Sequence, residues 1–141
     1  MLLLIARGLF WRGEPYWLSV GGGLEPGETL PQAGARELRE EAGITVEAAA
    51  LGRALGTSVL HFTSFGLLDV TQYQTYFALP VDDTTVSFAH QGAIERRCVE
   101  GHRWLTAGEL ADSPVRVPDP ELPRLMRAAV TAARRPGQPG L

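Results

Sequence analysis

Residues 22–44 read GGLEPGETLPQAGARELREEAGI, and this stretch decides how the chain folds. Its second half has the marks of a helix. Thr29 with Gln32 makes a capping-box pattern, and Pro31 falls in the first turn, where its missing N–H costs nothing. Leu30, Ala33 and Leu38 give the helix an apolar side, and Gly43 reads as the left-handed residue that ends it. Glu28 stands at the helix entrance. Glu37, Glu40 and Glu41 are spaced i, i+3 and i+4, so they share one face. Like charges at that spacing repel, so such a face is costly unless a cation neutralises it. A charge run most often marks a solvated helix face, and paired glycines most often mark a turn. Here a glycine loop, a carboxylate at the helix entrance and an acidic helix face occur together, and that combination outweighs both plain readings.

Working outward, Leu2–Ala6 is a short apolar run that reads as a buried strand, and residues 16–20 form a second strand leading into the glycines. Beyond the helix, residues 45–51, 57–65 and 70–79 read as strands. The last is the best marked, with alternation around Tyr73, Tyr76 and Phe77. Residues 80–91 read as a loop or hairpin, and residues 103–105 as a short strand. Thr106 with Glu109 opens a second capped helix through Ala111. Asp112-Ser113-Pro114, with Pro118 and Pro120, forms a turn-rich link. A final helix follows, with Asp119 as N-cap and Leu122, Leu125, Met126, Ala129, Val130 and Ala133 on one face. Pro136 ends it. The order of strands, helix, strands, helix indicates an α+β sandwich in one domain over residues 1–135, with residues 136–141 a disordered tail.

Composition narrows the function. The chain has 141 residues, a size that supports one buried core. A formal net charge of -3 argues against polymeric nucleic acid as a partner, since such binders carry a basic face. The single cysteine, Cys98, excludes an internal disulfide and fits a reducing compartment. No apolar run approaches the ~20 residues a membrane helix needs. The N-terminal apolar run lacks a basic segment before it and is too short for a signal peptide. A cytoplasmic protein is expected.

The stretch resembles the Nudix box at every defining position. It has Gly22, five residues, Glu28, seven residues, Arg36-Glu37-Leu38, one residue, Glu40-Glu41, one residue and Gly43-Ile44. Seven fixed identities would coincide by chance at roughly one in a few hundred million starting positions. Trp17 ahead of the glycines, and Arg103-Trp104 followed by Glu109-Leu110, resemble the family's flanking strands and closing helix. The resemblance implies a Nudix-type α/β/α sandwich with a mixed sheet between helices. It also implies Mg²⁺-dependent hydrolysis of a phosphoanhydride bond in a small nucleoside-diphosphate-linked substrate, with Mn²⁺ as a substitute. In such a site Glu40 and Glu41 are the principal metal ligands, and Glu37 is a further ligand or the base that takes a proton from water. Arg36 holds a glutamate in place by a salt bridge. Glu28 completes the acidic set, and the Gly22 carbonyl faces the metal. The alternative is a non-catalytic Nudix-like nucleotide-sensing module, which would be expected to lose box glutamates; this chain keeps them all.

Departures from the family pattern also carry expectations. Val20 replaces the proline often found before the glycines, which leaves the loop slightly freer. The strand that usually precedes the one resembling Leu2–Ala6 is missing, so either the true start lies upstream or a homodimer completes the sheet. Val59, Leu60, His61 and Phe62 stand where a proline would indicate ADP-ribose or a tyrosine dinucleoside polyphosphates, so the substrate stays open. Glu95 and Glu100 lie where some members place an additional catalytic glutamate, although surface charge is the commoner meaning. Phe62, Phe65, Tyr73 and Tyr76 could stack on a base, but strand aromatics are more often core. His61, His90 and His102 show no metal-ligand spacing. Arg96, Arg97 and Arg103 could meet phosphates.

Overall fold

In the computed structural model, which describes residues 1–8, 13–64 and 66–134, Leu2, Leu3, Leu4 and Ala6 are almost wholly buried. They form β1 (Leu2–Ala6), the middle strand of a three-stranded antiparallel sheet. On one side β1 pairs with β2 (Tyr16–Ser19), Leu4 opposite Leu18. On the other it pairs with β5 (Val99–Trp104), Leu3 opposite Arg103, with a register shift between Ile5 and Ala6. Because β1 has a hydrogen-bonded neighbour on each side, a second copy could not complete this sheet along it. Tyr16 also makes an isolated parallel bridge to Arg116. A separate antiparallel hairpin joins β3 (Gly56–Ser64) to β4 (Leu68–Tyr76), Val59 opposite Tyr73.

Among the described residues, four α-helices complete the α+β arrangement: α1 (Leu30–Ala42), α2 (Ala93–Cys98), α3 (Ala107–Ala111) and α4 (Leu122–Ala133). Leu3 and Trp17 from the sheet pack with Leu105, Leu110, Leu122 and Met126 as one cluster. Each such side chain contributes about 1.5–3 kcal/mol relative to exposure, so α3 and α4 are held mainly by this contact. The Trp17 indole N–H donates to Ser113 Oγ at 3.0 Å, which satisfies its one polar atom. No helix among the described residues is long and apolar enough to cross a membrane.

Both capping boxes form as read, Thr29 with Gln32 and Thr106 with Glu109. Gly43 ends α1 at φ 70°, a conformation open to glycine. Other boundaries differ. Residues 45–51 were expected as a strand, but Ala48–Leu51 is a 3₁₀ turn; three alanines offer little to a pleated surface, and Leu51 packs back on Gly34 of α1. β4 begins two residues earlier and ends three earlier than 70–79. β5 is longer than 103–105, and α2 had no counterpart in the reading. Asp119 does not cap α4. The N-cap is Glu121, while the Asp119 carboxylate is buried and accepts from the Glu121 N–H at 2.9 Å. Leu30 is 45% exposed, and Val130 and Ala133 on α4 also face solvent, because the core ends before it reaches them. Phe65 and the tail over 136–141 lie outside the described residues.

Candidate active site

The chain leaves β2 at Ser19 and crosses the glycines to a tight turn at Glu25-Pro26-Gly27-Glu28, where the Glu28 N–H donates to the Glu25 carbonyl at 3.1 Å. Proline then glycine at the two central positions is the preferred chemistry for such a turn. The Glu28 carboxylate also accepts from the Glu25 N–H at 2.9 Å, so the side chain is fixed to its own loop. The capping box starts α1 at the next residue, which sets the helix face relative to that loop.

Arg36 is the hub of the site. Its Nε and Nη2 donate to the two oxygens of Glu28 at 2.9 and 3.1 Å, a bidentate fork. Nη1 donates to Glu37 at 2.8 Å and to Glu40 at 3.3 Å, and Nη2 also reaches the Gly23 carbonyl at 2.8 Å. The Arg36 side chain is only 18% exposed. The Arg36 fork lowers the pKa of Glu28, helped by the Glu25 N–H. The surrounding carboxylates push Arg36 up, so it is always charged.

Glu37 and Glu41 are placed differently. Burial raises the Glu37 pKa against the opposing Arg36 bond. Its carboxylate lies so close to Gly22 that a Cβ at that position would collide with it, so the glycine makes room for an acid. Among the described residues, Glu41 has no arginine partner. It accepts from the Gly21 N–H at 2.8 Å, and burial, reinforced by Glu37, Glu95 and Glu40, pushes its pKa up to about 8.

The structure separates the two glutamates beyond the box. Glu100 pairs with Arg7 at 2.7 Å on the exposed side of β5. Glu95, on α2, folds its carboxylate back against Gly92 and is close enough to act on the charges of both Glu37 and Glu41. Arg96, Arg97 and Arg103 are exposed. His61 hydrogen-bonds Thr71 on the outer face of the hairpin, His102 meets Phe88 edge-on at 5.5 Å, and His90 is exposed. Tyr73 is also on the outer hairpin face, whereas Phe62 and Tyr76 are half-buried.

The reading missed a polar cluster behind β2. Ser58 Oγ and the Tyr76 hydroxyl both donate to Asp119 Oδ2 at 2.7 Å, and the Gln74 amide oxygen lies 3.0 and 2.9 Å from the same hydroxyls. Burial and the Asp119 carboxylate raise the Tyr76 pKa. The narrow recess beside it, about 20 Å³, has room for little more than a water. This cluster ties the hairpin to the start of α4. Only the folded pairing brings residues 58, 74, 76 and 119 together, so no local sequence signal marks it. A larger hollow of about 250 Å³ is lined by His61, Phe62, Thr63, Asp69, Val70 and Thr71, and no box residue borders it.

The donor chemistry of the acidic face fits a hard divalent cation. Oxygens of Glu37 and Glu40 meet on one guanidinium nitrogen, and Glu41 is one residue on. Among the described residues, however, no three acids are arranged as a ready metal cage. Arg36 instead supplies the positive charge that holds Glu28, Glu37 and Glu40 together.

The NUDIX domain family model matches residues 1–126. The solution structure of the E. coli ORF135 protein is similar at 24% identity and a TM-score of 0.59, covering 96% of this chain and 84% of that one. The crystal structure of the MutT protein from Methanosarcina mazei Go1 is similar at 20% identity and a TM-score of 0.55, covering 94% of this chain and 85% of that one. At these identities the two structures show the fold. No curated protein matches the chain.

Proposed function

The chain belongs to the Nudix family and is a Nudix hydrolase, and from that premise we propose that it uses Mg²⁺ to cleave a phosphoanhydride bond in a nucleoside diphosphate linked to another moiety. The family acts on small nucleotide-derived substrates and generally uses divalent cations. The observation that carries the reading is the Arg36 hub, which draws Glu28, Glu37 and Glu40 onto one guanidinium with Glu41 beside them. Isolated surface acids have no need of a shared, largely buried arginine.

In this reading Glu40 and Glu41 hold the metal, with Glu37, Glu28 and the Gly22 carbonyl completing its surroundings. Mg²⁺, when bound, supplies charge that screens the phosphoanhydride and makes water more acidic, and it keeps coordination positions for both. Glu37 takes the proton from the attacking water at its carboxylate. Burial raises its pKa, which makes the ionised carboxylate a better proton acceptor than an exposed one. Arg36 fixes the Glu37 carboxylate against Gly22, and Glu28 anchors Arg36 in turn. Substitution at phosphorus then yields two phosphorylated products.

The reading also places one domain over residues 1–135 in the cytoplasm. Any homodimer would use a face other than β1, and light scattering tests for one. The deciding experiment is a panel of nucleotides, dinucleotides and nucleotide sugars incubated with Mg²⁺, with products identified by phosphorus NMR. Turnover of a diphosphate-linked member is expected. No turnover across a broad panel would overturn the proposal.

A further inference from the structure

The hairpin of β3 and β4 is a two-stranded sheet, and among the described residues no further strand joins either edge. Beyond its ladder with β3, the backbone bond that β4 makes among these residues is from the Leu55 N–H to the Tyr76 carbonyl at 2.7 Å, and that stays at the root of the hairpin. An open edge is a template for another strand, and natural sheets blunt it with lysine, proline, a bulge or a cover. β4 lacks the sequence devices. LDVTQYQTY has no Lys, Arg, Pro or Gly, and its single charge is Asp69. Its pairing with β3 runs from Leu68 to Tyr76 without a register shift.

The edge is also open to solvent. Val59, Leu67, Leu68 and Tyr73 are four of the nine large apolar side chains exposed among the described residues, so nearly half of that set sits on one hairpin. Such a concentration marks an interaction surface more than chance exposure does. β4 carries the larger part of it, with Tyr73 81% and Leu68 68% exposed, whereas β3 contributes Val59 at 45%.

An edge accepts an extended segment, and the best match is extended already, equal in length and almost free of charge. β4 of a second copy meets all three conditions. An antiparallel two-fold through Gln72, the middle residue of β4, sets Thr71 opposite Tyr73 of the partner subunit and Asp69 opposite Thr75 of the partner subunit. The two Asp69 side chains then lie ~20 Å apart along the strands, beyond the ~8 Å over which surface charges act. We propose that β4 is the interface of a homodimer in which two hairpins join edge to edge as one antiparallel sheet. The two-fold pairing is self-complementary, so it closes at two copies.

Light scattering of the full chain at roughly 100 µM should give twice the 15.3 kDa mass of one chain, since a micromolar Kd leaves little monomer there. A monomer at that concentration overturns the proposal. Tyr73→Lys and Tyr73→Glu each set two like charges diagonally across the two-fold, about 7–8 Å apart. Each variant should be monomeric with native circular dichroism, because Tyr73 lies outside the core. Mixing the two should restore the dimer, since opposite charges then face each other. A dimer that survives both variants, or no recovery on mixing, overturns the interface. If either variant fails to fold, hydrogen exchange of wild type decides. The amides of residues 68–76 should gain protection as concentration rises, and unchanged protection there in a protein that dimerises puts the interface elsewhere.

Discussion

Among the described residues, Glu41 is the box acid without a cationic partner, and its pKa reflects that. In the metal-free protein its pKa is pushed from 4.5 up to about 8, first by burial and then by Glu37, Glu95 and Glu40. The folded state therefore holds a proton that the unfolded chain releases near 4.5. The resulting stability is fully present below that pH and is lost as pH rises toward 8. Glu37 is shifted in the same direction, whereas Glu28 is lowered by Arg36 and contributes only above its unfolded value, so its loss appears in more acidic solution. Urea midpoints without metal should fall between pH 5 and 8, and Glu41→Gln should flatten that slope. The same variant should lower turnover by ~10²-fold or more with native circular dichroism, as expected for loss of a metal ligand. Near-wild-type turnover would remove that role. Gly22 makes a related prediction. Alanine there would push the Glu37 carboxylate aside while leaving the core intact, because Gly22 itself is exposed. Turnover should drop by roughly 10–10²-fold, the cost of a small misplacement, with little change in melting temperature. An unfolded Gly22→Ala protein would show that the glycine serves the fold instead.

At the scale of elements, α1 was legible because its signals are local and redundant. Thr29, Pro31, Gln32 and Gly43 each act within one turn of the residue they satisfy, and both capping bonds form. Thr29→Ala should cost about 1 kcal/mol, the usual value of a side-chain N-cap, measured as a lower denaturant midpoint at unchanged slope. No loss would mean that packing of Ala33 and Ala42 alone holds the helix. The site was legible to the same extent. The spacing of Glu37, Glu40 and Glu41 gave their shared face, and Arg36 was expected to hold one glutamate. That it hydrogen-bonds three, with Glu25 also at 3.9 Å, depends on the turn that returns Glu28 to the helix. The misread elements lack such local signals. α2 has six residues, an N-cap Gly92 with no side-chain bond, and no buried residue, so it has neither cap nor periodicity to announce it. Asp119 looked like a cap because Asp before a helix usually is one. Its true partners, Ser58 and Tyr76, come from strands more than forty residues away.

For the molecule as a whole, the cation and the fold should stabilise each other, and Arg36 decides how. A purely repulsive cluster would predict that removing any of its acids raises stability. Here Glu40 is partly exposed and sits on Arg36, so Glu40→Gln should change the metal-free melting temperature little, as for other exposed pairs worth ~0–1 kcal/mol. Glu41 carries the unrelieved charge, so Glu41→Gln should raise the metal-free melting temperature at pH 8. A cation that binds only the folded cluster stabilises by mass action, about 2.7 kcal/mol at a hundredfold excess over its dissociation constant. The melting temperature should therefore rise with Mg²⁺ at fixed ionic strength, and more steeply with Mn²⁺, which binds mixed oxygen sites at least as well. Either variant should lose most of that rise, and the double variant nearly all of it. The outcomes separate cleanly: repulsion shows in the metal-free Glu41→Gln protein, and ligation shows in the metal response of both. If wild type shows no Mg²⁺-dependent shift and Glu41→Gln melts with it, the acids form a solvated face organised by Arg36 and nothing more.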